Sequence, residues 1–273
     1  MLRRWLLPLT ALSLLTMLIV ACTGSGGAGS DQLTQQALQT ATDSSQATAA
    51  PQGTSAVPAG PTPMTGDGPW PVDFTSGDGT KLNGVLYGKG KTGVVLAPMY
   101  PGGKEGWASF AKSAAAQGYS ALAFDLRGYG SSEGTRSLPD APADVKAAVG
   151  FLKKIISGKV VVVGAGFGGM ASVKAVAGDD TILGLVIISS PQSFGGLEVS
   201  SADLSGLTIP SLWLAARNDL TQNIEDMYGQ AGGKKNLWVY EGSSLQGTYI
   251  LEGADGPDLQ RRLLEFVAGV AGK

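Results

Sequence analysis

The residues whose spacing could do chemistry lie in Lys159–Met170, KVVVVGAGFGGM. Four consecutive valines read as a strand buried on both faces, and the glycines after them permit a sharp turn and close backbone approach. MASVKAVAG then has the small and apolar residues of a helix, stopped by Gly178. Two fingerprints fit this strand, turn and helix. Gly164-x-Gly166-x-x-Gly169 has the spacing of a dinucleotide site, where a helix N-terminus receives the pyrophosphate. Gly164-x-Gly166-x-Gly168 has the spacing of the G-x-S-x-G turn that lifts a nucleophilic serine off a strand end, with Gly166 in the serine's place. The dinucleotide reading needs an acid at the end of the next strand to bind the ribose. That strand, LGLVIISS, ends in Ser189 and Ser190, and the nearest acids, Asp179 and Asp180, precede it. It is the minor reading.

The chain has one cysteine and no histidine. No Ser-His-Asp or Cys-His arrangement can be built from it, nor a Cys/His zinc site or an internal disulfide. Ser131, Ser132, Ser189 and Ser190 are nucleophiles in type only, since none has an imidazole to act as base. A lysine base such as Lys104 is not placed beside any of them by the sequence. No metal and no cofactor is expected.

The elements that must position these residues follow in order. Residues 71–88 read as two strands joined at Asp78-Gly79, a hairpin signal. Thr92–Met99 is a buried strand, Glu105–Gln117 a helix closed by Gly118, and Tyr119–Leu126 another strand. Pro142–Ile156 is an amphipathic helix with Val145, Val149, Leu152 and Ile156 on one face. After the central strand and helix, Ile182–Ser190 and Ile209–Ala216 are strands, the second following a loop. Leu220–Gln230 is helical, Asn236–Tyr240 a strand, and a last helix begins near Pro257. The pattern predicts an α/β fold: a doubly wound, mainly parallel sheet opened by an antiparallel N-terminal hairpin.

VVLAPMYPGGKEGWASFAKSAAAQGYSALAFDLRGYGSSEG resembles the α/β-hydrolase family, in particular its small, lidless dienelactone-hydrolase-like and esterase-like members. Asp125, Arg127, Gly128, Gly130 and Ser132 match the family's Asp-x-Arg-Gly-x-Gly-x-Ser strand end, and VVVGAGFGGMAS matches its elbow. IPSLWLAARNDL resembles the strand delivering the triad acid, which implies Asp219. VYEGSSLQGTYIL resembles the histidine segment, which puts Gln246 where histidine belongs. The resemblance runs from about Trp70 to Lys273 and implies oxyanion donors on the backbone of Met99 and Phe167.

The departures fall on the chemistry. The nucleophile position is Gly166, the base position Gln246, and the oxyanion-loop histidine is Pro98. Glycine has nothing to attack with, and a glutamine amide does not take up a proton at neutral pH. Losing the nucleophile or the base of a working triad costs on the order of 10⁶ in turnover, about 8 kcal/mol of barrier. The expectation is a hydrolase fold without catalysis that works by binding, a small acyl or ester-like ligand being what the resemblance implies. The alternative is an active hydrolase of esters or related acyl bonds with a rearranged site lacking histidine. Asp219 is then a triad acid or, more simply, a helix cap before Thr221–Met227. Asp125 and Arg127 read as a structural ion pair or turn. Trp107 and Phe110 pack a helix on the sheet, and Tyr100, Phe167 and Gln246 are expected to converge at the mouth, with room for a ligand.

A formal charge of −2 without a basic patch leaves nucleic acid an improbable partner. Residues 1–21 have a basic start and a leucine-rich run, as a secretory signal does. Ile19-Val20-Ala21-Cys22 resembles the lipobox of bacterial lipoproteins, which implies a lipid on Cys22 and a place in the cell envelope, outside the cytoplasm. An uncleaved transmembrane anchor is the alternative. Residues 22–68, the cysteine and the stretch after it, are rich in Gly, Ser, Thr, Ala, Gln and Pro and carry no Lys or Arg, the composition of a tether. As a flexible coil it would reach roughly 35–40 Å. The folded domain is expected over 69–273. Cys22→Ser should abolish lipidation and leave the chain released or unprocessed. Mass spectrometry of the membrane fraction checks this, and an unmodified Cys22 in mature, membrane-bound protein would refute it.

Overall fold

Runs of valine and isoleucine that are apolar on both faces require a sheet covered on both sides. The computed structural model, which describes residues 68–217 and 221–272, shows one. In chain order its strands are β1 (Trp70–Thr75), β2 (Lys81–Tyr87), β3 (Gly93–Ala97), β4 (Ser120–Phe124), β5 (Val160–Ala165), β6 (Ile182–Ile188), β7 (Ser193–Phe194), β8 (Leu197–Glu198), β9 (Ser211–Ala216) and β10 (Lys235–Tyr240). The helices are α1 (Ala108–Ala116), α2 (Ala141–Ile155), α3 (Phe167–Val176), α4 (Ser201–Ser205), α5 (Thr221–Gln230) and α6 (Gly256–Ala271). Eight strands pair in the order β1-β2-β4-β3-β5-β6-β9-β10. β2 is antiparallel to both β1 and β4, and every other pair is parallel. This is the doubly wound sheet with an opening hairpin that the sequence pattern predicts.

Alternate residues of each central strand serve opposite faces. Val95, Val160, Val162, Ile187 and Trp213 pack with Val145 and Leu152 of α2 and Met170 of α3. Val94, Leu96, Val161, Val163 and Val186 pack on the other side with Trp107, Phe110 of α1 and Leu259 and Leu263 of α6. Trp107 and Phe110 are fully buried, and the Trp107 indole N–H donates to the Ala97 carbonyl at 3.1 Å, so they anchor a helix on the sheet. The predicted helix 105–117 is divided: Lys104–Trp107 form a 3-10 turn and α1 starts at Ala108. The β7–β8 ribbon and α4 fall in what reads as a loop, because elements this short carry no hydrophobic period. α4 is held by a capping box, Ser200 accepting from the Asp203 N–H and Asp203 from the Ser200 N–H.

Asp125 and Arg127 do not pair with each other; Arg127 opens a turn, and each takes its own structural partners. Arg127 donates through Nη2 to Asp144 at 2.7 Å, through Nη1 to Asp78 at 2.6 Å and through Nη2 to Ser76 at 3.2 Å. Its backbone N–H also donates to Asp144, at 3.0 Å. One guanidinium thus ties the β1–β2 turn, the loop after β4 and the first turn of α2. The bond to Asp144, opposed by burial and helped by Asp78, raises its pKa further. Asp144 is completely buried, so removing its partner strands a charge. Arg127→Met should cost about 3–5 kcal/mol of unfolding free energy, as breaking one side of a buried pair does. Urea denaturation measures it, and a loss below about 1 kcal/mol would show that the pair is not needed.

Candidate functional site

β5 delivers the chain to Gly166, whose φ of 51° and ψ of −120° no ordinary side chain adopts without strain. From there α3 starts immediately. The neighbouring glycines are fixed by contact. A β-carbon on Gly164 would lie 2.5 Å from the Gly168 carbonyl oxygen, and one on Gly168 would lie 2.5 Å from the Ala97 oxygen. One on Gly169 would overlap the Ser190 hydroxyl. The first turn of α3 is therefore wedged between the ends of β3, β5 and β6.

That packing closes the dinucleotide alternative at its anion site. The Gly168 N–H, one of the free donors of the helix N-terminus, donates to the Pro98 carbonyl at 3.0 Å. A protein carbonyl stands where a pyrophosphate would need to be. All three fingerprint glycines have a steric or conformational reason that needs no phosphate.

Met99 is the residue the sequence did not single out by its side chain. It is buried, and its Cβ lies 3.0 Å from where a β-carbon on Gly166 would be. Its Sδ accepts the Thr248 N–H at 3.2 Å and lies 2.5 Å from the β-carbon position of Gly247. The thioether thus reaches from the elbow to the segment following Gln246 and fills the space between them. The Met99 and Phe167 N–H groups have no acceptor among the described residues. The hollow among Pro98, Met99, Tyr100, Gly102, Leu126, Tyr129, Leu138 and Phe167 measures about 10 Å³. That is room for about one water, whereas ligand pockets hold roughly 300–1,000 Å³.

Over this filled site lies a run of aromatic rings. Tyr100 stacks on Phe167 with centroids 5.6 Å apart, and Phe167 stacks on Phe194 at 4.6 Å. Tyr129 meets Tyr100 edge-on at 5.7 Å, and the Arg136 guanidinium lies 4.8 Å from the Tyr129 centroid. Tyr100 and Phe194 remain 48% and 54% exposed. Phe194 and Tyr129 join the site only through the β7–β8 ribbon and the turn after β4, and nothing in their spacing announces it. Tyr100 and Phe167 meet as expected, but there is no ligand-sized hollow beneath them. Gln246 is exposed, and its carbonyl accepts the Tyr249 N–H at 3.0 Å as the following 3-10 turn begins.

Asp125 holds the loop that carries Met99. Its carboxylate accepts the Lys104 N–H at 2.9 Å, the Ser131 N–H at 3.0 Å and the Lys104 ammonium. Burial works against the charge on Lys104, but the bonds to Asp125 and Glu105 prevail and its pKa is raised. A lysine held in that state is no base for a serine hydroxyl. Ser132 is structural, donating to the Asp125 carbonyl at 2.7 Å and accepting the Asn83 N–H at 2.9 Å. Ser189 and Ser190 are buried. The Ser189 hydroxyl has no partner among the described residues, and the residue's φ of 48° is unusual for a serine. Asp219 and Cys22 lie outside the described residues. Among those described, no cluster of His, Cys, Asp or Glu is placed to hold a metal, and no helix is long and apolar enough to cross a membrane.

Strand order, a glycine-flanked elbow at the end of β5 and a single antiparallel strand near one edge define an α/β-hydrolase fold. A sequence model of the alpha/beta hydrolase family matches residues 94–265, and the chain belongs to that family. Among solved structures it is similar to an esterase of Pyrococcus furiosus, with 20% identity and a TM-score of 0.62 over 72% of this chain and 89% of that one. An alpha/beta hydrolase from Penicillium sp. sh18 gives 15% identity and a TM-score of 0.65 over 75% and 99%. A thermophilic esterase from Thermogutta terrifontis gives 14% and 0.60 over 74% and 99%. At these identities the likeness is one of fold. No curated protein sequence matches.

The geometry predicts how a serine at the elbow behaves. Gly166→Ser places a side chain at positive φ against Met99 and should cost about 1–3 kcal/mol. Met99→Gly in the same chain should remove the Cβ contact but leave the φ strain, so the two changes should couple by about 0.5 kcal/mol or more. A double-mutant cycle by urea unfolding checks this. A stabilising Gly166→Ser would mean that the turn is not an elbow.

Proposed function

We propose that this protein is a lipid-anchored α/β-hydrolase-fold protein of the cell envelope that has lost the family's catalysis and acts by binding. The filled site carries the reading: Met99 occupies the space between the elbow and the Gln246 segment, and neither position offers a group that reacts or titrates. A histidine-free chain has no imidazole to supply from elsewhere. Recognition then falls to the surface over the elbow, where Tyr100 and Phe194 present ring area to solvent. Aromatic rings of this kind suit an apolar or acyl-bearing ligand. The lipid anchor rests on Cys22 and its flanking residues alone.

A second reading is hydrolysis of an ester or related acyl bond through a site without histidine. The relatives favour it over the first, because solved structures of similar fold include esterases. In this chain it requires Met99 to leave the site and a base other than Lys104.

Turnover separates the two. Purified protein should hydrolyse p-nitrophenyl esters no faster than a heat-denatured control. Gly166→Ser alone should add little, since a serine without a base is a weak nucleophile. Gly166→Ser, Gln246→His and Met99→Ala together supply nucleophile, base and space, and their combined gain should far exceed the product of the single gains. Robust turnover by the unaltered protein, insensitive to serine-directed inhibitors, would establish the second reading and end the first.

A further inference from the structure

The charges of this domain are sorted along the strand axis. In the parallel sheet, the loops that lead into strands gather at one edge and those that leave them at the other. Lys89 and Lys91 precede β3, Lys159 precedes β5 and Lys234 precedes β10, all exposed at the entry edge. Lys153 and Lys154 close α2 at the same edge, where cations also favour a helix C-terminus. The loops are pressed together: the Gly93 N–H donates to the Lys159 carbonyl at 3.0 Å, and a β-carbon on Gly158 would overlap the Lys91 oxygen. Among the described residues of these connecting loops, the only carboxylates are Asp179 and Asp180.

The opposite edge, which carries the elbow and its aromatic cover, is acidic. Asp78, Glu105, Glu133, Glu241, Glu252 and Asp255 lie in its loops, and Lys104, Arg127, Arg136 and Arg217 offset them in part. The net charge of −2 hides this separation. At about 4.8 Å per strand, the lysines from β2 to β10 span roughly 30 Å.

The chain also enters the domain at the basic edge. β1 runs parallel to β4 because β2 opposes both, so Trp70 lies at the entry end of the sheet. Lys89 stands over its ring, 5.0 Å from the centroid. The segment linking Cys22 to the domain therefore joins it among these lysines.

We propose that the lysine-bearing edge of the sheet docks on the headgroups of an anionic phospholipid bilayer, so that the elbow face points away from the membrane. The proposal deepens the anchored reading above, and rests on it for its biological setting. Each lysine at an anionic surface strengthens binding by about fivefold. Weak contact suffices, because anchoring through Cys22 would hold the domain near the bilayer at an effective concentration of order millimolar.

The test uses the chain from residue 22 with Cys22→Ser, so that no lipid contributes. It should sediment with phosphatidylglycerol-containing vesicles at low salt, not with pure phosphatidylcholine vesicles, and should be released by high salt. Lys89→Gln, Lys91→Gln, Lys159→Gln and Lys234→Gln together should weaken binding by at least about a hundredfold. Neutralising Lys81, Lys112, Arg136 and Arg261 instead changes the net charge equally and should leave most of it. Circular dichroism should show both variants folded. Equal binding to neutral vesicles, no binding to anionic ones, or unchanged binding by the first variant would overturn the proposal. Tighter capture by a soluble polyanion such as heparin would overturn the lipid as occupant. Because the chain is unlipidated, failure here leaves the anchor to be judged by the mass of Cys22.

Discussion

The hydrogen bond from the Gly168 N–H to the Pro98 carbonyl, 3.0 Å long, is the constraint on which the site depends. It locks the first turn of α3 against the end of β3, at a separation that only glycine permits at 168, while Gly164 meets α3 and Gly169 meets Ser190 as closely. The same bond turns the Pro98 carbonyl inward. It sends the chain on through Met99 directly over the elbow. In a chain with serine at position 166, the β-carbon would crowd the Met99 Cβ, 3.0 Å away.

The family's framework persists because it is mostly packing and backbone geometry, whereas its chemistry is two side chains. The strands bury their residues on both faces, Arg127 ties three loops through Asp144, Asp78 and Ser76, and Asp125 clamps the loop before α1. None of these contacts consults the identity of residue 166 or 246. Glycine at 166 and glutamine at 246 therefore cost the fold little, and the absence of the strain that a side chain would bear at Gly166 favours it. Burial of the Met99 side chain beside the elbow adds further apolar contact.

The charge separation follows from the same topology. A parallel sheet sends all entering loops to one edge and all leaving loops to the other, so modest local biases in loop composition add along a common axis. Six lysines scattered from residue 89 to residue 234 become one edge. Along the sequence they look like a solvated background.

The sequence by itself determined the sheet class, the hairpin, the central strand and elbow, and the absence of a triad. Each rests on a property a linear chain displays: a run of β-branched residues, an Asp-Gly turn, fixed glycine spacing, or a residue type missing throughout. Tertiary structure alone decided what fills the site and what partners each charge. The Met99 side chain meets residues 67 and 149 positions away, Asp125 takes Lys104 rather than Arg127, and Phe194 reaches Phe167 from a two-residue strand. Such contacts carry no periodicity, since they join loops whose nearness is set by strand order. Composition could reveal that a histidine was missing; only packing could show that a methionine had taken up the room.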